Sequence, residues 1–459
     1  MEGLLRYLAE KGRSRARPRL PPPRTEATQA VQIHPAQPRL VREQYLSALA
    51  SDGLVLCDVS ATAGAELVLE ARLRTADLER VVRTYVSAGV GPAASFEVVS
   101  PGSLAATLGL GESPLGRLER LATVVPGLLL EATLDATTGL GTRPVSEAVL
   151  RETALEVGRA GAGLIRVREA ANRLERLQAA LAAAARTDAL VETVCVLSGD
   201  VPGARVDGVV ESMRKLASQG AAILGIEDPR GALRPLCAYG LVRALRRELP
   251  ALPVRLRLVD SVGVAVASAV AAAEAGVGAV AVVQLPLGRP HGPPTASALT
   301  YALGSTERAP AIGEQALSAI TREWRETIGA LELWHVAQRE HDGAPAEIPT
   351  RESVPPRATG DLETIVRQRS DRATDAVREA ILEAHDPAAF QRRRRSLERY
   401  GQLTHLPTNL FVDGLAPGED ALVPATNGGA ERHVVFRSLE GLSASFEVDG
   451  VSLDVSLSD

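Results

Sequence analysis

Eight short runs of leucine and β-branched residues, each followed by a helix-like stretch, constrain the fold of this 459-residue chain more than any other feature. Such alternation is typical of parallel strands whose connecting helices cover the outside of the sheet. Eight strand–helix units are the number that closes a (β/α)8 TIM barrel. The predicted strands are residues 54–58, 95–99, 128–132, 164–168, 193–197, 222–226, 254–259 and 279–284.

An open, doubly wound α/β sheet is the alternative for alternating strands and helices. That fold usually carries a glycine-rich phosphate-binding turn after its first strand. Here the first strand runs into Val59-Ser60-Ala61-Thr62-Ala63, which lacks that fingerprint. The sequence therefore favours the closed barrel.

The chain divides into three predicted segments. Residues 1–45 are expected to be an N-terminal arm and linker, because residues 12–38 are rich in Arg, Pro and Gln without apolar periodicity. Residues 46–330 hold the predicted barrel. Residues 331–459 are expected to form a helical connection and a small β-rich unit, with turns at Asp413-Gly414, Asn427-Gly428-Gly429 and Asp449-Gly450.

Composition excludes two classes of partner. The net charge of −5 provides no basic field for holding nucleic acid by counterion release. No apolar run approaches membrane-spanning length, and the amino terminus has no apolar signal core. We therefore expect no nucleic-acid or membrane association and a cytoplasmic location. Cys57, Cys195 and Cys237 lie in strand or helix patterns, which predicts buried free thiols.

Short motifs resembling one known family follow in order along nearly the whole chain. They include Val41-Arg42-Glu43-Gln44, Arg72-Leu73-Arg74-Thr75, Ile223-Leu224-Gly225-Ile226-Glu227-Asp228, Leu299-Thr300-Tyr301-Ala302-Leu303 and Phe411-Val412-Asp413-Gly414-Leu415-Ala416-Pro417-Gly418-Glu419. In these motifs the chain resembles the carboxyltransferase and tetramerisation (allosteric) domains of pyruvate carboxylase, and the related oxaloacetate decarboxylase alpha-type proteins. The resemblance implies a TIM barrel with a small C-terminal assembly domain.

The resemblance also implies a chemistry. The family transfers carboxylate from carboxybiotin to pyruvate at a divalent metal held by an aspartate, a carboxylated lysine and two histidines. The positions of this sequence that match those four ligands are Ala63, Glu227, Arg257 and Val259. Metal ions of this kind need several oxygen or nitrogen donors around one point. One carboxylate beside a guanidinium does not supply them, so we expect a degenerate active site without a metal.

Three further family positions are replaced. The substrate-binding glutamine matches Glu66, and the proton-shuttling threonine matches His291. The substrate-binding arginine of the third strand falls near Glu131 or Ala132. His291 is a candidate general acid or base, although a lone loop histidine is also compatible with a purely polar surface role. Asn172 matches a family asparagine, or caps a helix.

The arginines near the ends of the predicted strands have two interpretations. Glu227 and Arg257 end neighbouring strands, and we expect them to form an ion pair that replaces the charge of the metal. Alternatively, Arg255 and Arg257 bind a small anion at the barrel mouth. In the structural interpretation, the carboxylates expected to help neutralise these arginines are Asp228, Asp260 and Glu169.

The chain has only two lysines, Lys11 and Lys215, so chemistry that requires a lysine amine has only these two candidates. Neither lies between methionines on a hairpin, where carrier domains hold biotinyl-lysine. We therefore expect no covalently bound biotin, and carboxybiotin only on a partner.

Three functions remain open from the sequence. The first is a catalytically degenerate subunit, structural or regulatory, in a biotin-dependent carboxylase complex. It would form a homo-oligomer, or assemble with biotin carboxylase, biotin carrier or active carboxyltransferase subunits. The second is a metal-independent carboxyltransferase or decarboxylase for a keto acid or acyl substrate, using His291. The third is a small-anion sensor.

Overall fold

The computed structural model describes residues 1–15, 19–20, 38–199, 206–342, 373–424 and 430–457. Residues 16–18 and 21–37 of the predicted arm, residues 343–372 of the predicted helical connection and the predicted turn at residues 427–429 lie outside these ranges. No helix in the described ranges is long and apolar enough to cross a membrane.

Eight parallel strands form a closed barrel, as the sequence predicts. Each strand pairs with the next, and the last pairs with the first, so the barrel has no free edge. The strands are β1 Val55–Asp58, β2 Ala94–Val99, β3 Leu129–Asp135, β4 Leu164–Arg168, β5 Leu190–Val196, β6 Ile223–Asp228, β7 Val254–Leu258 and β8 Ala279–Val282.

Helices cover the barrel because their apolar faces pack on the outward side chains of the strands. The bounds of the helices are α1 Glu2–Arg13, α2 Pro38–Ala50, α3 Ala65–Leu69, α4 Thr75–Ser87, α5 Leu104–Gly109, α6 Pro114–Val124, α7 Glu147–Arg159, α8 Leu174–Ala184, α9 Val206–Ala217, α10 Pro235–Glu248, α11 Ala265–Glu274, α12 Ala296–Leu303, α13 Glu314–Asp342, α14 Ala373–His385, α15 Pro387–Tyr400 and α16 Thr408–Asp413.

The predicted small β-rich unit is a four-stranded antiparallel sheet. Its strands are β9 Asp420–Val423, β10 Arg432–Glu440, β11 Ser443–Val448 and β12 Val451–Ser456, in the order β12-β11-β10-β9. Phe436 of β10 stacks on Phe446 of β11, with ring centroids 4.4 Å apart, and both rings are fully buried. One face of the sheet therefore carries its core.

The N-terminal helix α1 lies within the segment predicted as an arm, but it packs against the C-terminal unit. Its buried side chains include Leu4, Leu5 and Leu8, whose spacing places them on one helix face. The Tyr7 hydroxyl donates to the Phe411 carbonyl at 2.7 Å. The first and last parts of the chain therefore share one core, while the predicted domain boundaries stay a prediction.

A buried arginine joins the barrel to α16. The guanidinium of Arg74 pairs with Asp77 at 2.7 Å and donates to the Leu406 carbonyl at 2.8 Å. It also lies 4.3 Å from the centre of the Phe411 ring. A planar guanidinium can satisfy a carboxylate, a carbonyl and an aromatic face at once, which a lysine cannot.

Gly12 is required where α1 meets the chain after α16. A Cβ atom at this position would lie 1.8 Å from the Leu415 carbonyl oxygen, which belongs to the backbone. We expect Gly12→Ala to lower the free energy of unfolding by more than about 2 kcal/mol, because α1 must shift. Urea denaturation measures the change.

The matched control is Gly329→Ala on α13, where an added Cβ meets nothing within 4 Å. This variant should be neutral, or stabilise the chain by up to about 1 kcal/mol through helix propensity. Equal unfolding free energies for the two variants would show that the contact between α1 and Leu415 does not constrain the fold.

Candidate functional site

Charged side chains of both signs fill the barrel interior. Alternate residues of a barrel strand point inward. Their ion pairs bring together carboxylates from β2, β3, β5 and β6 with guanidinium groups from β4 and β7. The four carboxylates and four guanidinium groups are Glu97, Glu131, Glu192, Glu227, Arg166, Arg168, Arg255 and Arg257.

The sequence predicts Arg255 at the barrel mouth, but this residue lies in the deep layer of the barrel interior. It pairs with Glu131 at 2.8 Å and with Glu192 at 2.7 Å, and only 5% of its surface is exposed. Its guanidinium lies 6.0 Å from the Tyr45 ring of α2, the helix that precedes the first strand. Arg255 is therefore already neutralised and is not available to a ligand at the mouth.

Of Glu131 and Ala132, the two positions predicted to lie near the family's substrate arginine, Glu131 has the inward-facing side chain. This side chain points into the barrel, where it accepts two bonds from Arg255. Because successive side chains of a strand alternate, Ala132 faces the surrounding helices. The inward position of the third strand thus carries a carboxylate.

Arg166 links the deep layer to the layer above it. Its guanidinium pairs with Glu192 at 3.1 Å and with Glu227 at 2.7 Å. Burial by itself would lower the pKa of Arg166, but the surrounding carboxylates, Glu227 and Glu192 first, raise it above its ordinary value. The two layers therefore form one continuous network.

The predicted ion pair between Glu227 and Arg257 is wrong. The two residues are Cα partners on adjacent strands, but Glu227 pairs with Arg166 and, at 3.2 Å, with Arg168. Arg257 pairs with Glu97 of β2 at 3.0 Å. A long arginine side chain can cross the barrel interior, so strand adjacency did not decide which carboxylate it reached.

The charge state of Glu227 follows from these contacts. Burial alone would raise its pKa, but the guanidinium groups of Arg166, Arg168 and Arg257 overcome this and hold the pKa at about 2. Glu97 behaves in the same way: burial opposes ionisation, but Arg257 and hydrogen bonds from Thr133 and Thr62 lower its pKa. Both carboxylates are ionised at neutral pH.

The three carboxylates expected to neutralise the arginines hold loops instead. Asp228 accepts from the backbone N–H groups of Arg230 and Leu233, at 3.2 and 2.7 Å. Glu169 pairs with Arg173 at 2.5 Å. Asp260 accepts from the Ala265 N–H at 3.2 Å, at the start of α11. The prediction that these carboxylates neutralise Arg255 and Arg257 is therefore wrong. Backbone N–H groups bind Asp228 and Asp260, and Arg173 pairs with Glu169.

Asn172 and His291 lie on loops after β4 and β8, with left-handed backbone φ angles of 54° and 65°. The Asn172 amide donates to the Val196 carbonyl and accepts from the Val196 N–H, at 2.7 and 2.8 Å. It therefore fastens one loop to the end of β5. The side chain of His291 is exposed, and the backbone N–H of His291 donates to the Asp260 carbonyl at 2.9 Å.

The four positions predicted to match the family's metal ligands do not provide a fitting donor set. Ala63 lies in a π-helix, Ser60–Gly64, that follows β1, and Val259 follows β7. Neither side chain has a ligand atom. Glu227 is held by guanidinium groups, and Arg257 is itself a cation. No group of three or more His, Cys, Asp or Glu in the described ranges is arranged to hold a metal ion.

The charged layers enclose a small cavity. Its empty volume is about 250 Å³, including the part that is open to solvent. Gly225 contributes to the close packing, since a Cβ there would lie 2.1 Å from a carboxylate oxygen of Glu192. The lining residues are Cys57, Val59, Glu97, Glu131, Arg166, Glu192, Arg255, Leu256, Arg257 and Ala281.

Glu97, Arg166, Arg168 and Glu192 were missed as members of the site. A signal for them existed, because each is a charged residue within or beside a predicted strand of a barrel covered by helices. A charge in such a strand cannot face the apolar helix layer without a large desolvation cost. It must therefore point inward, and partners of opposite sign must meet it there.

The amino-acid sequence is similar to one family model and to several pyruvate carboxylases. A family model described as HMGL-like matches residues 165–323. The pyruvate carboxylase of Schizosaccharomyces pombe is 28% identical over 264 residues, which are 56% of this chain and 22% of that protein. The pyruvate carboxylase of Bacillus subtilis is 27% identical over 310 residues, which are 63% of this chain and 26% of that protein. The chain thus spans about a quarter of the length of these relatives.

Solved structures share the fold. The carboxyltransferase domain of Rhizobium etli pyruvate carboxylase, as a variant with pyruvate, has a TM-score of 0.81 at 19% identity, covering 100% of both chains. The pyruvate carboxylase of the same organism with acetyl coenzyme A has a TM-score of 0.78 at 18% identity, covering 99% of this chain and 52% of that one. Together with the family model and the relatives, they confirm the resemblance to the carboxyltransferase region of pyruvate carboxylase-type proteins.

Proposed function

We propose that this chain is a catalytically degenerate carboxyltransferase-like subunit, with a structural or regulatory role in a biotin-dependent carboxylase complex. The observation that carries the proposal is the pairing of Glu227 with Arg166 and Arg168, beside the cationic side chain of Arg257. Glu227 and Arg257 are two of the four positions predicted to match the family's metal ligands. Side chains that pair with one another there leave no open coordination site.

Electrostatics opposes a divalent cation in this network. A metal at Glu227 would have to displace two guanidinium groups from the carboxylate and then remain beside Arg257. Charges of the same sign repel strongly in a partly buried site. Arg257 can replace the charge of a metal but not its ability to polarise a substrate oxygen. The residues present therefore do not fit the metal of the family.

The preserved scaffold supports a role in assembly. The likeness in fold extends along the whole chain, from α1 through the barrel to the C-terminal sheet. Buried contacts such as Arg74 with Asp77 and Tyr7 with Phe411 hold these parts together. A chain without the catalytic ligands but with this framework is suited to binding other subunits: biotin carboxylase, biotin carrier or an active carboxyltransferase.

Carboxybiotin would reach such a complex on a partner. The two lysines lie on helices, Lys11 on α1 and Lys215 on α9. Neither has the hairpin setting of a biotinylated lysine. We therefore propose that this chain contributes surfaces to the complex and carries no biotin of its own.

Catalysis is tested with the purified full-length chain. We expect no oxaloacetate decarboxylation above background with Mn²⁺ or Zn²⁺, because the donor set for the metal is absent. A pyruvate carboxylase carboxyltransferase domain, assayed in parallel, is the positive control. Metal-stimulated turnover of oxaloacetate by this chain would contradict the proposal. Activity that is independent of metal and lost in His291→Ala would favour the alternative enzyme.

Assembly is tested by recovering an affinity-tagged chain from its native cell. The expected result is stoichiometric co-purification of biotin carboxylase, biotin carrier or active carboxyltransferase subunits, since the preserved framework is proposed to bind them. Mass spectrometry identifies the recovered chains, and streptavidin detects biotin. The control is an unrelated tagged protein at the same expression level. A chain recovered without any of these subunits would count against the proposed complex.

The interior network predicts a pH-dependent stability. The folded pKa of Glu227, about 2, is below the ordinary value near 4.3. Its contribution is therefore present above about pH 4.3 and disappears as the pH falls toward 2. We expect Glu227→Gln to lower the free energy of unfolding by about 3 kcal/mol at pH 7, because Arg166 and Arg168 lose a buried partner.

The loss should shrink as the pH falls from 4.3 to 2, since wild type then loses the same charge. Urea denaturation at several pH values measures the difference. The control is Glu211→Gln on α9, at an exposed surface pair, which should change the free energy of unfolding by less than about 1 kcal/mol. A Glu227→Gln effect equal to that of the control at pH 7 would refute a stabilising network.

A further inference from the structure

A buried histidine lies where the C-terminal helices meet the barrel. His385 is the last residue of α14, and none of its surface is exposed. Its imidazole Nδ1 lies 2.7 Å from the Ile381 carbonyl oxygen, which can only accept a hydrogen bond. Nδ1 therefore carries the proton, and in a neutral ring Nε2 then carries a lone pair. Among the described residues, no group makes a hydrogen bond to Nε2.

The imidazole packs directly against the backbone of the loop after β3. A Cβ atom on Gly139 would lie 2.1 Å from Nε2, and a Cβ atom on Gly141 would lie 2.9 Å from the His385 carbonyl oxygen. Only residues without a side chain allow this approach. The loop is closed by two backbone hydrogen bonds between Asp135 and Gly139, at 3.0 and 2.7 Å. Nε2 therefore faces backbone atoms of a closed turn.

This loop leads from His385 to the ion-pair network of the barrel. Loops that follow the strands of a barrel lie at its mouth. The carboxylate of Asp135, at the end of β3, accepts from the Thr137 N–H at 2.9 Å and lies 3.7 Å from the guanidinium of Arg168. Arg168 in turn lies 3.2 Å from Glu227. The docking site of α14 is therefore continuous with the charged interior.

Helix α14 otherwise rests on the barrel through a small contact. Its Val377 and Ile381 pack on Val149 of α7, in an apolar cluster that is separate from the main core. Arg378 pairs with Glu156 of α7 at 3.1 Å. A segment with few buried apolar contacts opens more readily than a core strand. The state of His385 therefore weighs heavily on whether α14 stays docked.

The charges near this contact do not compensate a proton on His385. The elements around the residue are the loop after β3, α7, α14 and the start of α15. Their charged groups near the contact are Asp135, Arg143, Glu147, Glu152, Glu156, Arg378, Glu379, Glu383, Asp386 and Arg393. None of them shifts the pKa of His385, which burial lowers to about 4 and which only the bond to Ile381 raises. A proton on Nε2 would be a buried charge without a partner, and such a charge is costly.

We propose that His385 is an acid-sensitive latch between the C-terminal helices and the barrel. The neutral imidazole holds the end of α14 on the loop after β3, and protonation of Nε2 releases α14 from that loop. The barrel strands stay folded in the released state, because their core does not include α14. The latch is independent of the proposed role in a carboxylase complex, and its test uses only the purified chain.

The sign of the pH dependence follows from the burial of the imidazole. In the docked state the pKa of His385 is about 4, below the ordinary value near 6.5. Docking is therefore strongest above about pH 6.5 and weakens as the pH falls toward 4. The equilibrium constant for opening should rise about 25-fold between pH 7.5 and pH 5. Glu227, whose pKa is about 2, stays ionised over this range, so the interior network does not contribute.

Hydrogen exchange of the full-length chain, followed by mass spectrometry, measures this opening. Rates are corrected for the intrinsic effect of pH on amide exchange. We expect peptides from α14 to lose protection about 25-fold between pH 7.5 and pH 5. Peptides from β6 should keep their protection. Unchanged protection of α14 would overturn the latch, and so would an equal loss in β6, which would mean that the whole chain unfolds.

Substitutions of the histidine identify the titrating group. His385→Asn keeps a donor for the Ile381 carbonyl, and His385→Leu is apolar, and neither side chain titrates. In either variant the protection of α14 should change less than about twofold between pH 7.5 and pH 5, because no proton is taken up. The matched control is His433→Asn on the small sheet, where the side chain is exposed; it should keep the 25-fold loss of wild type. A histidine variant that folds and also keeps this loss would overturn the latch.

A change on the loop tests the contact from its other side. Gly139→Ala should increase the exchange of α14 at pH 7.5 by at least about fivefold, because the new Cβ displaces the imidazole. Gly139 has a φ angle of 60°, so this substitution also strains the backbone. The matched control is Gly89→Ala, where φ is 68° and an added Cβ meets nothing within 4 Å. It should leave the exchange of α14 unchanged, and equal exchange of α14 in the two variants would overturn the contact.

Discussion

Neutralisation of charge inside the barrel is the constraint on which the rest of this structure depends. Four carboxylates and four guanidinium groups lie where an ordinary barrel carries branched apolar side chains. An unpaired charge at that depth is costly, whereas a fully paired set is tolerated. Each arginine therefore stabilises the barrel through the carboxylates with which it pairs. Gly225 contributes because the absence of a side chain leaves space for the Glu192 carboxylate.

The same pairing links structure to the proposed function. A site evolved for a divalent cation has anionic or neutral donors that converge on an open position. Here two of the positions predicted to match those donors, Glu227 and Arg257, belong to a network of ion pairs with Arg166, Arg168 and Glu97. Such a network can stabilise the barrel fold without supporting catalysis. The proposed contribution of the chain is then the framework that binds other subunits.

Much of the fold could be predicted because its signals are local. Strand and helix patterns, repeated eight times, identify the barrel, and turn residues identify the small sheet. The site was harder to predict. The sequence indicated that Glu227 and Arg257 meet on adjacent strands, which is true of their backbones. Their side chains pair with other residues, because an arginine side chain is long enough to reach across several strands. The observed pairing minimises the energy of the whole network of ion pairs and not of one pair.

The closed barrel and the C-terminal sheet could be predicted from the amino-acid sequence alone, since hydrophobic periodicity and turn residues are properties of the chain. Three features emerged from the folded arrangement: Arg255 lies deep with Glu131 and Glu192, Arg257 reaches Glu97, and α1 completes the C-terminal core. Contacts between distant residues depend on depth, side-chain reach and competition among partners. No local pattern encodes these three quantities, because each is set by the packed arrangement of all the strands and helices.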